Sequence, residues 1–326
     1  MTHAGEHVIA RDRQLALALA RRAYAAGQIR LVTRDLSGCD YIVSTRRGLL
    51  AAGAAGWRRV AHGQYFGLTL DGNDILAFEA CDRPRFPTRM GRIVRLCVQD
   101  ARIVDTAVFV DGLDNGCHQI DLIGDTLIVV DTYRQRILEI APDAKTKEFQ
   151  PFPFIRERPG TADYVHFNSV LGSGDRRLLV LHNDYNRTGR TSEIALLDAS
   201  WNVVERRAMA GTGCHNLALL EDGSILSCGS LEGTLINSAG MQAKVSNLMT
   251  RGLAVGQDVI AVGGSTFSER EDRDSEPGVL HLLDRQFRLL SSLPLPSPPT
   301  EIRRLDGNDL SLSRHAEALG LMLSWP

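Results

Sequence analysis

The sequence repeats a two-strand pattern along most of its length, with 36 to 56 residues between the starts of successive units. The clearest unit starts at His118 and runs through one strand, a Gly124-Asp125 turn and a second strand ending at Asp131. Repeats of this length, with tight turns between runs of Val, Ile and Leu, are typical of β-propeller blades. Six units can be aligned, and their first residues are His62, His118, His166, His215, Arg251 and Glu301. The sequence therefore predicts an all-β, six-bladed β-propeller.

The two ends of the chain differ from this repeat. Residues 8–26 carry Leu15, Leu19 and Ala23 at helical spacing, so we expect an N-terminal helix within residues 1–28, packed on the propeller. The last unit has only two evident strands, near Ile302 and Leu310. Strands near residues 29–33 and 41–44 are expected to complete this blade, so that residues 29–326 form one propeller closed by N- and C-terminal strands. Five or seven blades are the alternatives.

Composition and charge exclude several classes of partner. The 326 residues carry a formal net charge of −2 with dispersed basic residues, so no nucleic-acid partner is expected. No apolar run approaches the length of a membrane span, and the arginines near the start do not fit a secretory signal. The six cysteines form no C-x-x-C pair, which favours a cytoplasmic location. The oligomeric state is left open.

Four of the nine histidines share one position, the first residue of a repeat unit. The strand that begins there lines the channel of a propeller, so His62, His118, His166 and His215 are expected to converge at one mouth. Imidazole binds Zn, Fe and Cu, and we predict a divalent transition metal held by these histidines. Three ligands would leave an open position for catalysis, and four would favour iron or copper. Repeated structural use of histidine is the alternative.

Arg251 and Glu301 begin the two remaining units and are candidate catalytic residues. An arginine at the mouth suits a carboxylate substrate, and a glutamate suits a base or a partner of a ligand histidine. A mutual ion pair across the channel is the alternative for these two residues.

The loops after the second strands are expected to emerge at the same mouth. They contain Tyr133 and Tyr185, which we consider acid/base candidates, and also Asp131 and residues 182–184. Cys117 and Cys214 each precede a histidine of the repeat. Because adjacent residues of a strand face opposite ways, both thiols are expected to pack between blades.

The unit from Gly116 to Ile140 resembles the NHL-type repeat. In that repeat a His-Gly-Ile-like start leads to a strand, a Gly-Asp or Asp-Gly turn and an end of the form Val-Ala-Asp-Thr. The end here reads Val-Val-Asp-Thr-Tyr over residues 129–133, and the units at His62 and His215 are less similar. The resemblance implies a propeller superfamily that contains both enzymes and binding modules.

Within that superfamily the chain is similar to the peptidyl-hydroxyglycine amidating lyases, in which histidines from several of six blades hold zinc near an arginine and a tyrosine. By position, this similarity implies His118, His166 and His215 as ligands, Arg251 as the arginine, and Tyr133 or Tyr185 as the tyrosine. The additional histidine, His62, departs from that pattern. Four histidines on a propeller axis also resemble the iron site of carotenoid cleavage oxygenases, which have seven blades.

These observations lead to one functional hypothesis and one rival. The hypothesis is a metal-dependent lyase or oxygenase that acts on a small polar substrate at the multi-histidine site. The rival is a non-catalytic interaction propeller whose channel histidines are structural.

Overall fold

The computed structural model of the protein describes residues 3–83, 88–152, 164–266 and 276–318. The elements of the first half are α1 (His3–Ala25), β1 (Tyr41–Thr45), β2 (Gly48–Gly53), β3 (Gly56–Ala61), β4 (Tyr65–Asp71), β5 (Asp74–Ala80), β6 (Gly91–Gln99), β7 (Arg102–Leu113), β8 (Gln119–Ile123), β9 (Thr126–Asp131), β10 (Arg136–Ile140) and β11 (Thr146–Phe149). Those of the second half are β12 (Phe167–Ser173), β13 (Arg176–Leu181), α2 (Tyr185–Thr188), β14 (Glu193–Leu197), β15 (Val203–Ala208), β16 (His215–Leu219), β17 (Ile225–Gly229), β18 (Thr234–Asn237), β19 (Gln242–Lys244), β20 (Met249–Val255), β21 (Val259–Ser265), β22 (Gly278–Asp284), β23 (Leu289–Leu295), β24 (Pro299–Arg304) and α3 (Ser313–Ala318).

The described strands form six four-stranded antiparallel sheets. Five sheets use four consecutive strands each, beginning at β4, β8, β12, β16 and β20, and the sixth has the order β24-β1-β2-β3. The first strand of each sheet contacts the first strand of the next, from β4 round to β24 and back to β4. The protein is therefore a six-bladed β-propeller, as the repeat predicts.

The sixth blade combines both ends of the propeller. In it, β24 pairs antiparallel with β1, with Ser44 opposite Glu301 and Val43 opposite Ile302. Closing the ring in this way leaves no open sheet edge between the first and last blades. Two of the expected strands are not strands in the structure. Residues 29–33 contribute an isolated bridge at Leu31 instead of a strand, and Leu310 lies in a turn beyond β24.

Burial within a blade decreases from the channel outwards. The inner strand β8 is buried at every residue, whereas the outer strand β11 is largely exposed. Inner strands contact neighbouring blades, so polar residues such as Gln119 and Asp121 of β8 are buried there together with apolar ones. Cys117 and Cys214 lie in two of the apolar clusters between blades, as predicted for these thiols.

The N-terminal helix packs against the blade that begins at β4. Arg21 forms an ion pair with the buried Asp82 at 2.8 Å, and the Tyr24 hydroxyl accepts the Gly112 N–H at 3.0 Å. Among the described helices, none combines the length and apolar character needed to cross a membrane.

Residues 305–318, here called the C-terminal segment, cross the channel at the far ends of the inner strands. Leu310 accepts the Leu219 N–H and donates to the Val255 carbonyl, at 3.1 and 2.9 Å. Further along, the Ser313 hydroxyl accepts the Gly172 N–H at 2.7 Å.

The same segment also bonds to the three remaining inner strands. The Arg304 N–H of β24 donates to the Asp309 carboxylate at 3.2 Å, and the Ser313 hydroxyl donates to Asp121 of β8. Arg314 forms an ion pair with Asp71 of β4 at 2.6 Å. A segment that contacts all six inner strands covers this end of the channel. The first residues of the repeat units lie at the opposite end.

Candidate functional site at the mouth of the channel

Four imidazole rings form a continuous row at the mouth. The ring of His118 lies 5.3 Å from that of His166, His166 stacks on His182 at 4.5 Å, and His182 lies 5.3 Å from His215. Phe66 extends the row beyond His118, with its ring centroid at 6.2 Å. Of these, His118, His166 and His215 are site residues that the sequence predicts. We call His118, His166, His182 and His215 the histidine row.

The histidines do not share one position of the repeat, contrary to the expectation from spacing. In β12 the strand pairing shifts between Phe167 and Val170, and in β16 it shifts between His215 and Ala218. His215 thus occupies the same position in its blade as the buried Phe167 does in the blade before it. His166 lies one residue before that position. The rings meet because neighbouring blades converge at the axis.

His62 lies outside the histidine row. In β4 the equivalent shift falls between Tyr65 and Leu68, so His62 precedes the shared position by three residues. Its side chain is exposed, and its Nδ1 lies 3.4 Å from Nη1 of Arg59. The described ring contacts do not connect it to the other histidines.

His118 and His215 share a local sequence, since each follows a Gly-Cys pair, and they make the same hydrogen bond. Their Nδ1–H groups donate to the carbonyls of Gly116 and Gly213, at 3.2 and 2.7 Å. A neutral imidazole with its proton on Nδ1 carries its lone pair on Nε2. Burial, followed by the charge of Arg251, holds the pKa of His215 well below its usual value. His215 is therefore neutral and able to accept a proton or bind a metal through Nε2.

His182, which the sequence analysis placed in a mouth loop without a role, is the missing member of the row. It follows β13, and its N–H donates to the His166 carbonyl at 3.1 Å. Residues opposite each other in an antiparallel pair present their side chains on the same face. The hairpin register of β12 and β13 therefore brings the two rings together. Aligning that hairpin residue by residue is the sequence signal that could have identified His182.

Asp184 completes a compact group with two of these histidines. The potential ligand atoms of His166, His182 and Asp184 all lie within 4.8 Å of one another. Atoms about 2.1 Å from a shared ion lie at most about 4.2 Å apart, so a small adjustment would let one ion bind all three. Two histidines and a carboxylate suit Zn or Fe(II).

The backbone around this group is held in unusual conformations. His166, Asn183 and Asp184 have φ values of 53°, 60° and 50°, in the left-handed region. Side-chain contacts fix the loop, because Asn183 Nδ2 donates to the Thr191 carbonyl and to Glu193 at 2.7 and 2.8 Å. Residues held in such conformations concentrate at functional sites.

His182 carries one hydrogen bond that bears on metal binding. The Asp184 N–H donates to its Nδ1 at 3.1 Å, so neutral His182 carries its proton on Nε2. A metal that binds Nδ1 would replace this hydrogen bond. Binding through Nε2 would instead require the proton to move to Nδ1.

Arg251 and Glu301 lie at different depths below the mouth. Arg251 is half-buried and acts electrostatically on His215. Glu301 is fully buried and accepts hydrogen bonds from Asn216 at 2.7 Å and from Arg303 at 2.8 Å. Burial raises the pKa of Glu301 to about 7, although Arg303 opposes the shift. Glu301 forms an ion pair with Arg303, and the charge of Arg251, its partner in the alternative considered from sequence, also acts to lower its pKa.

The two candidate tyrosines are not among the ring contacts of the described row. Tyr133 lies half-buried in the turn between β9 and β10, and Tyr185 begins the exposed helix α2. A different tyrosine, Tyr164, contacts His166 at 5.5 Å and donates its hydroxyl proton to the Thr132 carbonyl at 3.1 Å.

Comparisons with known proteins support the fold and leave the function open. No protein-family model and no curated protein matches the sequence. A chain of a nidogen/laminin complex has a TM-score of 0.58 and 10% identity, over 85% of this chain and 99% of that one. A protein of unknown function from Bacteroides caccae has a TM-score of 0.53 and 12% identity, over 82% and 99%. Virginiamycin B lyase from Staphylococcus aureus reaches 0.47 at 12% identity, over 72% and 77%.

Proposed function

We propose that this propeller is a metal-dependent enzyme that acts on a small polar substrate at the histidine row. The observation that carries the proposal is the compact group of His166, His182 and Asp184, flanked on both sides by histidine. These three residues would hold a divalent transition metal, with zinc or iron favoured by a histidine and carboxylate ligand set. The metal would polarise a carbonyl or carboxylate oxygen of the substrate.

His118 and His215 supply the proton chemistry in this proposal. Both present the Nε2 lone pair beside the metal ligands, and His215 is neutral because burial lowers its pKa. A neutral imidazole has the lone pair that a general base needs, and a bound carboxylate would offset the charge of Arg251 that lowers its pKa. The C-terminal segment covers the other end of the channel, so substrate would enter and leave at the mouth.

We favour a lyase over an oxygenase. In an elimination, Nε2 of His215 takes a proton from carbon, the C–H electron pair forms the new double bond, and the leaving group departs with its own bonding pair. The second imidazole, when protonated, returns a proton to that group. Only acid, base and electrostatic stabilisation are needed, which are functions that His118, His215 and Arg251 offer. An oxygenase would additionally need an oxidant and a source of electrons.

Arg251 indicates the charge that we expect on the substrate. It lies half-buried near His215, and its guanidinium would bind a carboxylate with two parallel hydrogen bonds. The substrate of this proposal is therefore a small molecule with a carboxylate close to the bond that breaks.

Metal analysis tests the proposal without knowledge of the substrate. Purified protein is supplemented separately with zinc, iron(II) and copper(II), and bound metal is measured together with the melting temperature. We expect about one ion per chain, a higher melting temperature, and at least about tenfold weaker binding in Asp184→Asn and His166→Ala.

His62→Ala is the matched control, since His62 lies outside the row and should keep its metal. Wild-type protein that stays metal-free with all three metals would refute the proposal. Equal metal binding in wild type and Asp184→Asn would do the same. Either outcome would favour an interaction propeller with structural histidines.

A further inference from the structure

A second polar site lies at the same end of the propeller, outside the histidine row. The site comprises Arg30, Arg47, Arg59 and His62, whose charges act on one another where β3 ends beside the β1–β2 turn. Nη1 of Arg59 lies 3.4 Å from Nδ1 of His62, and the His62 N–H donates to the Arg30 carbonyl at 2.9 Å. We call these four residues the arginine cluster.

The arginine cluster contains more positive charge than the surrounding residues neutralise. No ion pair joins Arg30, Arg47 or Arg59 to an acidic residue in the described part of the chain. Nε of Arg30 and Nε of Arg59 are buried and bond to no described protein atom. Arg30 also acts on the buried Glu79, where it opposes the rise in pKa that burial causes, but Arg92 already pairs with that carboxylate at 2.7 Å.

Burial and like charge both act on the cluster. Burial, followed by the charges of Arg59 and Arg30, lowers the pKa of His62. Burial and the charge of Arg47 likewise lower the pKa of Arg59. Three arginines whose only interacting acid in the described chain already pairs with Arg92 favour a bound anion, which would relieve both the repulsion and the unmet hydrogen-bonding capacity.

We propose that the arginine cluster is a binding site for a phosphate group. Three guanidinium groups offer charge for a dianion, and together with the His62 imidazole they offer many N–H donors for its oxygens. The side chain of Arg59 runs beside Gly48, where an added Cβ would lie 3.3 Å from Nε, so the turn leaves room for the guanidinium. The site requires no metal and is independent of the proposed reaction.

Phosphate binding is tested with inorganic phosphate, using calorimetry at constant ionic strength with chloride as the balancing anion. We expect saturable binding in wild type and at least about tenfold weaker binding in both Arg59→Gln and Arg47→Gln. Arg58→Gln is the matched control. Arg58 is on the same strand but pairs with Asp35, and should bind phosphate like wild type.

Phenyl phosphate distinguishes the two sources of a phosphate group. Binding at least as tight as that of inorganic phosphate assigns the site to a phosphorylated molecule, and exclusion of the ester assigns it to free phosphate.

Bound phosphate should also raise the pKa of His62, which NMR titration of its ring protons measures. The proposal fails if wild type shows no saturable binding, or if Arg58→Gln and Arg59→Gln weaken it equally. Asp184→Asn should retain phosphate, so failure of the metal site leaves this result unaffected.

Discussion

The imidazole rings of His166 and His182 stack at 4.5 Å with an interplanar angle of 25°. Their backbones are joined by the hydrogen bond from His182 N–H to the His166 carbonyl. His166 reaches this position in a left-handed conformation, and Gln135 holds it by accepting the N–H groups of Val165 and His166 at 2.6 and 3.2 Å. The blade that begins at β12 therefore builds this pair by its own hairpin, and the general repeat does not supply it.

Gly213→Ala should disturb the histidine row directly. Gly213 has φ 59°, and an added Cβ would lie 3.0 Å from Nε2 of His182 and 3.1 Å from Leu231. We expect a loss of stability of about 1–2 kcal/mol from the left-handed backbone, plus a displaced His182 ring. Urea denaturation measures the first effect, and metal affinity and the NMR shift of His182 measure the second.

Gly240→Ala is the control for Gly213→Ala. Gly240 also has a positive φ, of 89°, but its added Cβ would meet no atom within 4 Å. It should show the backbone cost without any change at His182. If both variants bind metal alike and leave the His182 signal in place, the proposed closeness of Gly213 to the site is contradicted.

Much of the fold is predictable because it depends on local sequence. The Gly-Asp turn at residues 124 and 125, with apolar runs on either side, specifies a hairpin, and its recurrence specifies blades. The C-terminal segment was not predictable in this way. Its bonds from Leu310 to Leu219 and Val255 join parts of the chain that no local pattern connects.

The site was predictable only in part, for a physical reason. His118 and His215 share the Gly-Cys-His sequence and the same Nδ1 hydrogen bond, and the repeat identifies both as members of the row. His62 and His182 show the limit of that method. A shift of one to three residues in strand pairing decides which side chain reaches the axis, and spacing alone does not reveal such shifts.

Ser313→Ala should loosen the C-terminal segment. The Ser313 hydroxyl donates to Asp121 at 2.5 Å and accepts the Gly172 N–H at 2.7 Å, and the residue is fully buried. Its loss leaves buried polar groups without a partner, at a cost of about 1–3 kcal/mol in the free energy of unfolding. Urea denaturation should show this loss, while Ser291→Ala, on the exposed strand β23, should stay within about 0.5 kcal/mol of wild type. Equal stability of the two variants would contradict the anchoring role.

His215 should contribute an acid-sensitive part of the stability. Its folded-state pKa is lower than the unfolded value, so below about pH 6.5 the unfolded chain binds more protons and stability falls. His215→Asn cannot titrate, and its free energy of unfolding should fall less between about pH 7.5 and about pH 5. His62 and His281, whose pKa values are also lowered, remain in both proteins. The same decrease in wild type and variant would contradict the neutral, buried state of His215.

Glu301 should contribute a part of the stability that is lost as pH rises, opposite to the contribution of His215. Burial raises its folded pKa from an ordinary 4.5 to about 7, so between these values the folded protein binds more protons than the unfolded chain. The free energy of unfolding therefore contains a component that decreases as pH rises through this window and is lost above it. In Glu301→Gln this component should disappear, even if loss of the Arg303 pair lowers the overall stability. Asp131, whose pKa burial raises to about 6, contributes with the same sign to both proteins and cancels in the comparison.

The measurement for Glu301 is a series of urea titrations across this pH window, in wild type, Glu301→Gln and the exposed control Glu221→Gln. We expect the wild type and the Glu221 variant to share one pH profile, because Glu221 lies at the surface in a solvated pair with Arg285. The difference between wild type and Glu301→Gln should vary with pH only between about 4.5 and about 7. A difference that is constant across the window would mean that Glu301 stays ionised in the channel. Its bonds to Asn216 and Arg303 would then outweigh the cost of burying its charge.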